Sequence, residues 1–159
     1  MTRARRAVVL EFTSAVRAPA ARVWDDVTRL DGINGELMPL MRMTAPREWA
    51  GRRIDDARPG QRLFRSWLLL FGLVPVDYDD LGIAEIGPGH RFLERSQMLS
   101  AARWEHERVV EEDGADGSRV TDRLRFVPRW RPLGPVLRWF VPIVFTHRHR
   151  RLRHRYARR

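Results

Sequence analysis

Hydrophobic residues along this chain switch between two periods, and the switch predicts where strands give way to helices. Val8, Leu10, Phe12, Ser14 and Val16 point one way, while Val9, Glu11, Thr13 and Arg17 point the other. A period of two describes a strand with one buried face. Ala18-Pro19 ends that strand, the proline being suited to a first helical turn. Val23, Trp24, Val27 and Leu30 then recur at helical spacing, which predicts an amphipathic helix over 20–30, closed by Asp31-Gly32. A second short helix is predicted over 34–40.

The stretch from Trp49 to Gly60 is polar, carries Gly51, Pro59 and Gly60, and reads as a loop. Five strands follow, near 61–71, 76–86, 91–98, 102–112 and 118–128. Their breaks are Gly72…Pro75, Gly87-Pro88-Gly89 and Asp113-Gly114-Ala115-Asp116-Gly117. Connections this short join antiparallel neighbours, because parallel strands need long crossovers. After Pro132 the helical period returns: Leu133, Leu137, Val141, Phe145, Arg148, Leu152 and Tyr156 form one face of a long helix. Pro142 is expected to kink or split it.

The expected fold is therefore α+β, with a curved antiparallel sheet wrapped around a long C-terminal helix and two short helices after the first strand. Only the last helix is long enough to cover the sheet's apolar face. Curling a sheet around a helix leaves space between them, where a ligand can replace side chains as filling.

Composition narrows the picture. A chain of 159 residues fits one domain, taken as 1–159. The absence of cysteine excludes disulfides, thiolate metal sites and thiol nucleophiles, and is compatible with the cytoplasm. After the arginine-rich start, the apolar run Ala7-Val8-Val9-Leu10 stops at Glu11, too short for a signal-peptide core. The longest uncharged apolar stretch, Trp67 to Val76, is about half the ~20 residues of a membrane-spanning helix. The chain is read as soluble, unprocessed and cytoplasmic.

The net charge of +10 has one source. All 30 basic residues are arginine, and ten of them lie from Arg129 to Arg159 with no acid among them. The arginine-rich end, about 148–159, can attract nucleic-acid phosphates or an anionic membrane weakly. A solvated helix face is the plainer reading.

Several segments resemble a known family. Phe12-Thr13-Ser14-Ala15-Val16-Arg17-Ala18-Pro19-Ala20-Ala21-Arg22-Val23-Trp24 resembles the first strand and helix of SRPBCC (START-like) proteins, including the polyketide cyclase/dehydrase group. Trp104-Glu105-His106-Glu107-Arg108 followed by Val120-Thr121-Asp122-Arg123-Leu124 is similar to that superfamily's penultimate strands. Phe145-Thr146-His147-Arg148-His149-Arg150-Arg151-Leu152 is similar to the last helix of one bacterial branch, which also carries something like Asn34-Gly35-Glu36-Leu37-Met38-Pro39 and Arg42-Met43-Thr44. The resemblance spans essentially the whole chain and implies a helix-grip fold and a hydrophobic ligand. It implies no particular reaction, since lipid carriers, hormone receptors and aromatase/cyclases all belong to this superfamily.

Three sets of residues carry candidate chemistry. Alternation puts Trp104, His106, Arg108 and Val110 on one strand face, and Asp122, Leu124 and Phe126 on another. A turn centred near Gly114 sets His106 beside Asp122. The pair fits a general acid/base, or a structural pair in which each satisfies the other. Arg148 interrupts the apolar stripe of the last helix and needs a carboxylate partner among Asp122, Glu36, Asp77 and Asp79. It can hold a ligand carboxylate or enolate, or clamp helix to sheet. Asp77-Tyr78-Asp79-Asp80 brings acids together near a strand start, for acid/base work or a cation, or as an exposed edge. Tyr78 is a candidate for a hydroxyl aimed into the pocket, and Glu36 for a gate at its mouth.

The expected cavity wall is Trp24, Trp67, Leu69, Trp104, Phe126, Leu137, Phe140, Val141 and Phe145. Nothing in the pattern calls for a cofactor: His147, His149 and His154 lack helical metal spacing, and no nucleophile elbow or phosphate loop occurs. No oligomeric state is specified. The expected function is binding of a lipid, quinone or polyketide-like molecule as carrier or sensor. The alternatives are a cyclase, dehydratase or isomerase using His106, Asp122 and Arg148, and a membrane- or nucleic-acid-associated factor working through the basic end.

Overall fold

A computed structural model describes residues 5–157. The first four residues, and Arg158 and Arg159 of the arginine-rich end, lie outside it.

The elements are β1 (Val8–Val16), α1 (Ala20–Val27), α2 (Leu30–Leu37), β2 (Met41–Met43), β3 (Gln61–Leu70), β4 (Val74–Ile86), β5 (Arg91–Met98), β6 (Ala101–Glu112), β7 (Ser118–Pro128) and α3 (Leu133–Ala157). The seven strands form one antiparallel sheet in the order β1-β7-β6-β5-β4-β3-β2. It curls into a half-barrel around α3, the helix-grip arrangement. β1 closes the far edge on β7, from Val8 opposite Phe126 to Val16 opposite Ser118. Alternation decides which face is inside: Trp104, His106, Arg108 and Val110 of β6 are buried, as are Val120, Asp122, Leu124 and Phe126 of β7.

Departures from the sequence pattern have local causes. α1 stops before Leu30 because the Thr28 hydroxyl donates to the Trp24 carbonyl, while the Thr28 carbonyl accepts from Ile54 N–H. The second helix therefore starts at Leu30 and ends at Leu37, earlier than predicted. β2 has only three residues, too few to show a period. It is held by Asn34, whose side chain both donates to the Met43 carbonyl and accepts from Met43 N–H, at 2.9 and 2.8 Å. Two 3-10 turns, Arg47–Trp49 and Ile54–Asp56, lie in and next to the predicted loop.

α3 does not split at Pro142: its 25 residues run through it. A proline inside a helix costs about 3 kcal/mol. The buried Leu137, Val141, Val144 and Phe145 on both sides of it pack against the sheet and offset that cost. No helix among the described residues is long and apolar enough to cross a membrane.

Candidate functional site

A cavity of about 370 Å³ lies between the concave face of the sheet and the first half of α3. That volume is within the range of small-molecule pockets. Its walls are mainly aliphatic and aromatic, from Ile33 and Leu37 of α2, Leu68 and Leu70 of β3, Trp104 of β6, and Leu137, Val141 and Phe145 of α3. The polar groups that border the space include Arg52, Asp77, Asp79, Glu94, His106 and Arg148.

Behind His106 and Arg148 lies a buried ionic network. Arg108 and Asp122, directly opposite each other on β6 and β7, form a two-pronged pair with Nε–Oδ1 and Nη2–Oδ2 both at 2.7 Å. The remaining Arg108 nitrogen, Nη1, donates to Glu36 of α2 at 2.8 and 3.0 Å. Arg148 donates to the same carboxylate from α3, Nε to Oε2 at 3.0 Å. Asp122 also takes His106 Nε2 on Oδ1 and His149 Nε2 on Oδ2, each at 2.7 Å. His149 Nδ1 lies 2.8 Å from Ser14 Oγ. One carboxylate thus joins two strands to α3, and another joins α2, β6 and α3.

The charge states follow from these partners. Burial opposes ionisation of Glu36, but the charges of Arg108 and Arg148 outweigh it and lower the Glu36 pKa. Burial likewise opposes Asp122, and Arg108 and His106 hold it well below the usual carboxylate range. For His106 burial favours the neutral ring, yet Asp122 and then Glu94 outweigh it and raise the pKa. His106 Nδ1 stands 3.6 Å from Glu94 Oε2, so both ring nitrogens face carboxylates. Asp79 has no cation beside it. Burial and the neighbouring Glu94 charge push its carboxyl well above the ordinary value.

The structure sorts the sequence-predicted residues. Trp104, His106, Leu137, Phe140, Val141, Phe145 and Arg148 border the cavity. Asp122 is behind His106, and Phe126 is behind Trp104, stacked at 5.4 Å between ring centres. Glu36 is not a gate at the mouth: it is fully buried beneath two arginines, which also settles the carboxylate partner of Arg148. Trp67, Leu69 and Tyr78 do not line the cavity, whose β3 contributions include Leu68 and Leu70. Register shifts after Arg62 and after Leu68 set the phase of the β3 pleat, and Trp67 and Tyr78 pack edge-on to each other with Arg65 over the Tyr78 ring at 3.9 Å. Trp24 is buried but outside the cavity, its indole N–H donating to Asp55.

His106 is directly opposite Leu124, not Asp122; it reaches the carboxylate diagonally. Sequence reasoning missed Arg108, His149 and Glu94. Arg108 stood on the buried face of the same strand as His106, which was the available signal. In the arginine-rich end, Arg151, Arg153 and Arg155 donate to the Gly35 carbonyl, Ser14 Oγ and the Gly32 carbonyl. A side chain at Gly35 would collide with Arg155.

A curled antiparallel sheet gripping a long C-terminal helix over an internal cavity defines a START-like (SRPBCC) fold. Solved structures that share it include the following three. A START superfamily protein from Mycobacterium smegmatis is 15% identical, with a TM-score of 0.67 over 94% of this chain and 97% of that one. The Zhui aromatase/cyclase from Streptomyces sp. R1128 is 14% identical, with a TM-score of 0.68 over 97% and 96%. A protein from Chromobacterium violaceum is 14% identical, with a TM-score of 0.69 over 93% and 96%. The chain belongs to the family described as domain of unknown function DUF8410, whose model matches residues 14–156. No curated protein matches it.

Proposed function

We propose that the protein binds a hydrophobic small molecule in its internal cavity, as a carrier or sensor acting in the cytoplasm. The observation that carries this reading is the cavity itself: about 370 Å³ left open between sheet and helix, behind walls that are mainly hydrocarbon. A folded chain gains by filling such a space, because atoms that face a void forgo the dispersion attraction of close packing. Leaving it open is consistent with a ligand as the missing filling. The fold shared with START-like proteins supports the same reading.

Binding is favoured over acid/base catalysis by the state of His106. Its Nε2 is bonded to Asp122 at 2.7 Å and its Nδ1 faces Glu94 at 3.6 Å, so both ring nitrogens are directed at carboxylates of the protein itself. Asp122 accepts from His106, Arg108 and His149 and has no idle oxygen. Both groups are therefore assigned a structural role at the cavity wall.

The test is native mass spectrometry of the purified full chain, alongside a denatured sample. The expected result is an added mass that is present only in the native sample, extractable into organic solvent, and retained by His106→Ala. A native mass equal to the bare chain, together with no binding of apolar fluorescent probes, would overturn the reading.

A further inference from the structure

We propose that the end of the half-barrel where the cavity opens is a docking surface for an anionic lipid bilayer. The docking stands apart from the binding reading above, since it depends on the outer surface and not on what the cavity holds.

Antiparallel strands return to the same end at alternate turns, so one end of the sheet collects the β3–β4 turn, the β5–β6 turn and the connection from β7 to α3. Arg129 fastens two of these together, its guanidinium donating to the Met98 and Leu99 carbonyls. Phe71 of the β3–β4 turn lines a shallow groove with Leu40 and with Pro142 and Ile143, so the first half of α3 flanks the same end. A turn in water is ordinarily built from glycine, proline and short polar residues. This one reads Phe71-Gly72-Leu73-Val74, with Phe71 62% and Leu73 82% exposed. Phe71 also has φ +54°, a region that bulky residues avoid, so neither packing nor backbone preference calls for phenylalanine there. On α3, Val136 and Trp139 are exposed, the tryptophan at 68%, and Leu99 and Trp130 are exposed on the other two connections. Among the described residues, every exposed large apolar side chain except Val9 and Trp67 lies at this end. Apolar surface gathered in this way marks a site of contact with a partner or a membrane. Val76 and Val136 are exposed and also line the cavity, so an opening of the cavity lies within the patch; Arg52 is the other exposed residue of its wall.

Charge selects the occupant. Residues 70–76, 98–104 and 128–143, which form this end, contain no acid, while Arg103, Arg131 and Arg138 among them are exposed. The acids that flank these segments are engaged: Asp77 accepts from the Ser100 hydroxyl and backbone N–H, and Glu105 pairs with Arg95. A second copy docked end to end would set arginine against arginine with no acid opposite. A bilayer with anionic headgroups suits both parts of the surface. The arginines meet the headgroups, the aliphatic and phenyl groups enter beneath them, and tryptophan favours that boundary. Docked in this way, the opening beside Val76 and Val136 faces the lipid.

The experiment is co-sedimentation of the full chain with vesicles of phosphatidylcholine alone or of phosphatidylcholine and phosphatidylglycerol in equal parts. The wild type is expected to pellet with the mixed vesicles and more weakly with the neutral ones. Leu73→Asp and Trp139→Asp, on separate elements and both at exposed positions, are expected to melt with the wild type and each to lower binding at least about tenfold, the effect of keeping one large apolar side chain out of the lipid. Arg131→Gln and Arg138→Gln are expected to weaken binding to the mixed vesicles by roughly 5-fold each and to leave the neutral ones unchanged. Sizing without vesicles is expected to give a monomer. No binding to the mixed vesicles, equal binding to both kinds, or binding that both aspartate variants retain in full overturns the proposal; the last result assigns the contact to the arginine-rich end. A dimer that Leu73→Asp dissociates overturns it too, because a second copy then covers the patch.

Discussion

The interior has two ends that the same elements build differently. At one, Val16, Val23, Val120 and Leu152 close into a solid cluster, each 5% exposed or less. At the other, Ile33, Leu37, Leu137, Val141 and Phe145 surround open space. β6, β7 and α3 run through both, so neither strand pattern nor helix period accounts for the difference. The divide coincides with the buried ions: Arg108, Asp122, Glu36 and Arg148 lie where α2 and α3 meet the sheet. The network ties α2 and α3 to the strands at the border of the open space.

The most damaging change to that divide is removal of Arg108. Arg108→Met leaves Glu36 and Asp122 buried with less compensation, and the expected loss is about 3–5 kcal/mol in denaturant unfolding. Arg148→Met is expected to cost less, since Glu36 keeps Arg108. Equal truncations then set the two ends against each other. Leu152→Ala at the solid end is expected to cost about 2–5 kcal/mol, as core leucines do. Leu137→Ala, bordering the existing void, is expected to cost roughly half as much, because fewer atoms pack against the methyl groups removed. Equal losses would erase the distinction between the ends.

A smaller effect depends on pH. With its pKa raised above the ordinary 3.8, Asp79 keeps a proton in the folded chain that the unfolded chain releases. Stability from this group is complete below that value and is lost as pH rises toward the folded pKa. Asp79→Leu is therefore expected to be more stable than wild type at pH 7 by roughly 1–3 kcal/mol. Thermal melts should show the gap narrowing toward pH 4. A gap that widens in acid contradicts the assignment. The smallest effect belongs to the outer face, where Arg123 pairs with Glu11 and Glu107. Arg123→Ala is expected to change stability by less than about 1 kcal/mol, as exposed pairs do.

How much of this the sequence carried depends on period and distance along the chain. The alternation in β6 and β7 is strict, so even a two-residue error in register kept His106 and Asp122 facing inward. β3 resisted the same reasoning because its register shifts, which no residue announces, decide its phase; the size of Trp67 then favoured the wrong face. Arg148 was legible as a charge breaking an apolar stripe. Its bond to Glu36 spans 112 positions, and that of Arg108 spans 72, so neither partner is visible locally. Open space is a property of three elements at once, and no single segment encodes it.

The central claim is that the hollow end takes a ligand. It is tested most directly by titrating the fluorophore N-phenyl-1-naphthylamine into wild type and Val141→Trp, whose larger side chain projects into the cavity. Saturable one-to-one binding by the wild type, weakened at least about tenfold in a variant that melts no lower, is the expected result. Equal binding by both chains, or none by the wild type, would contradict it.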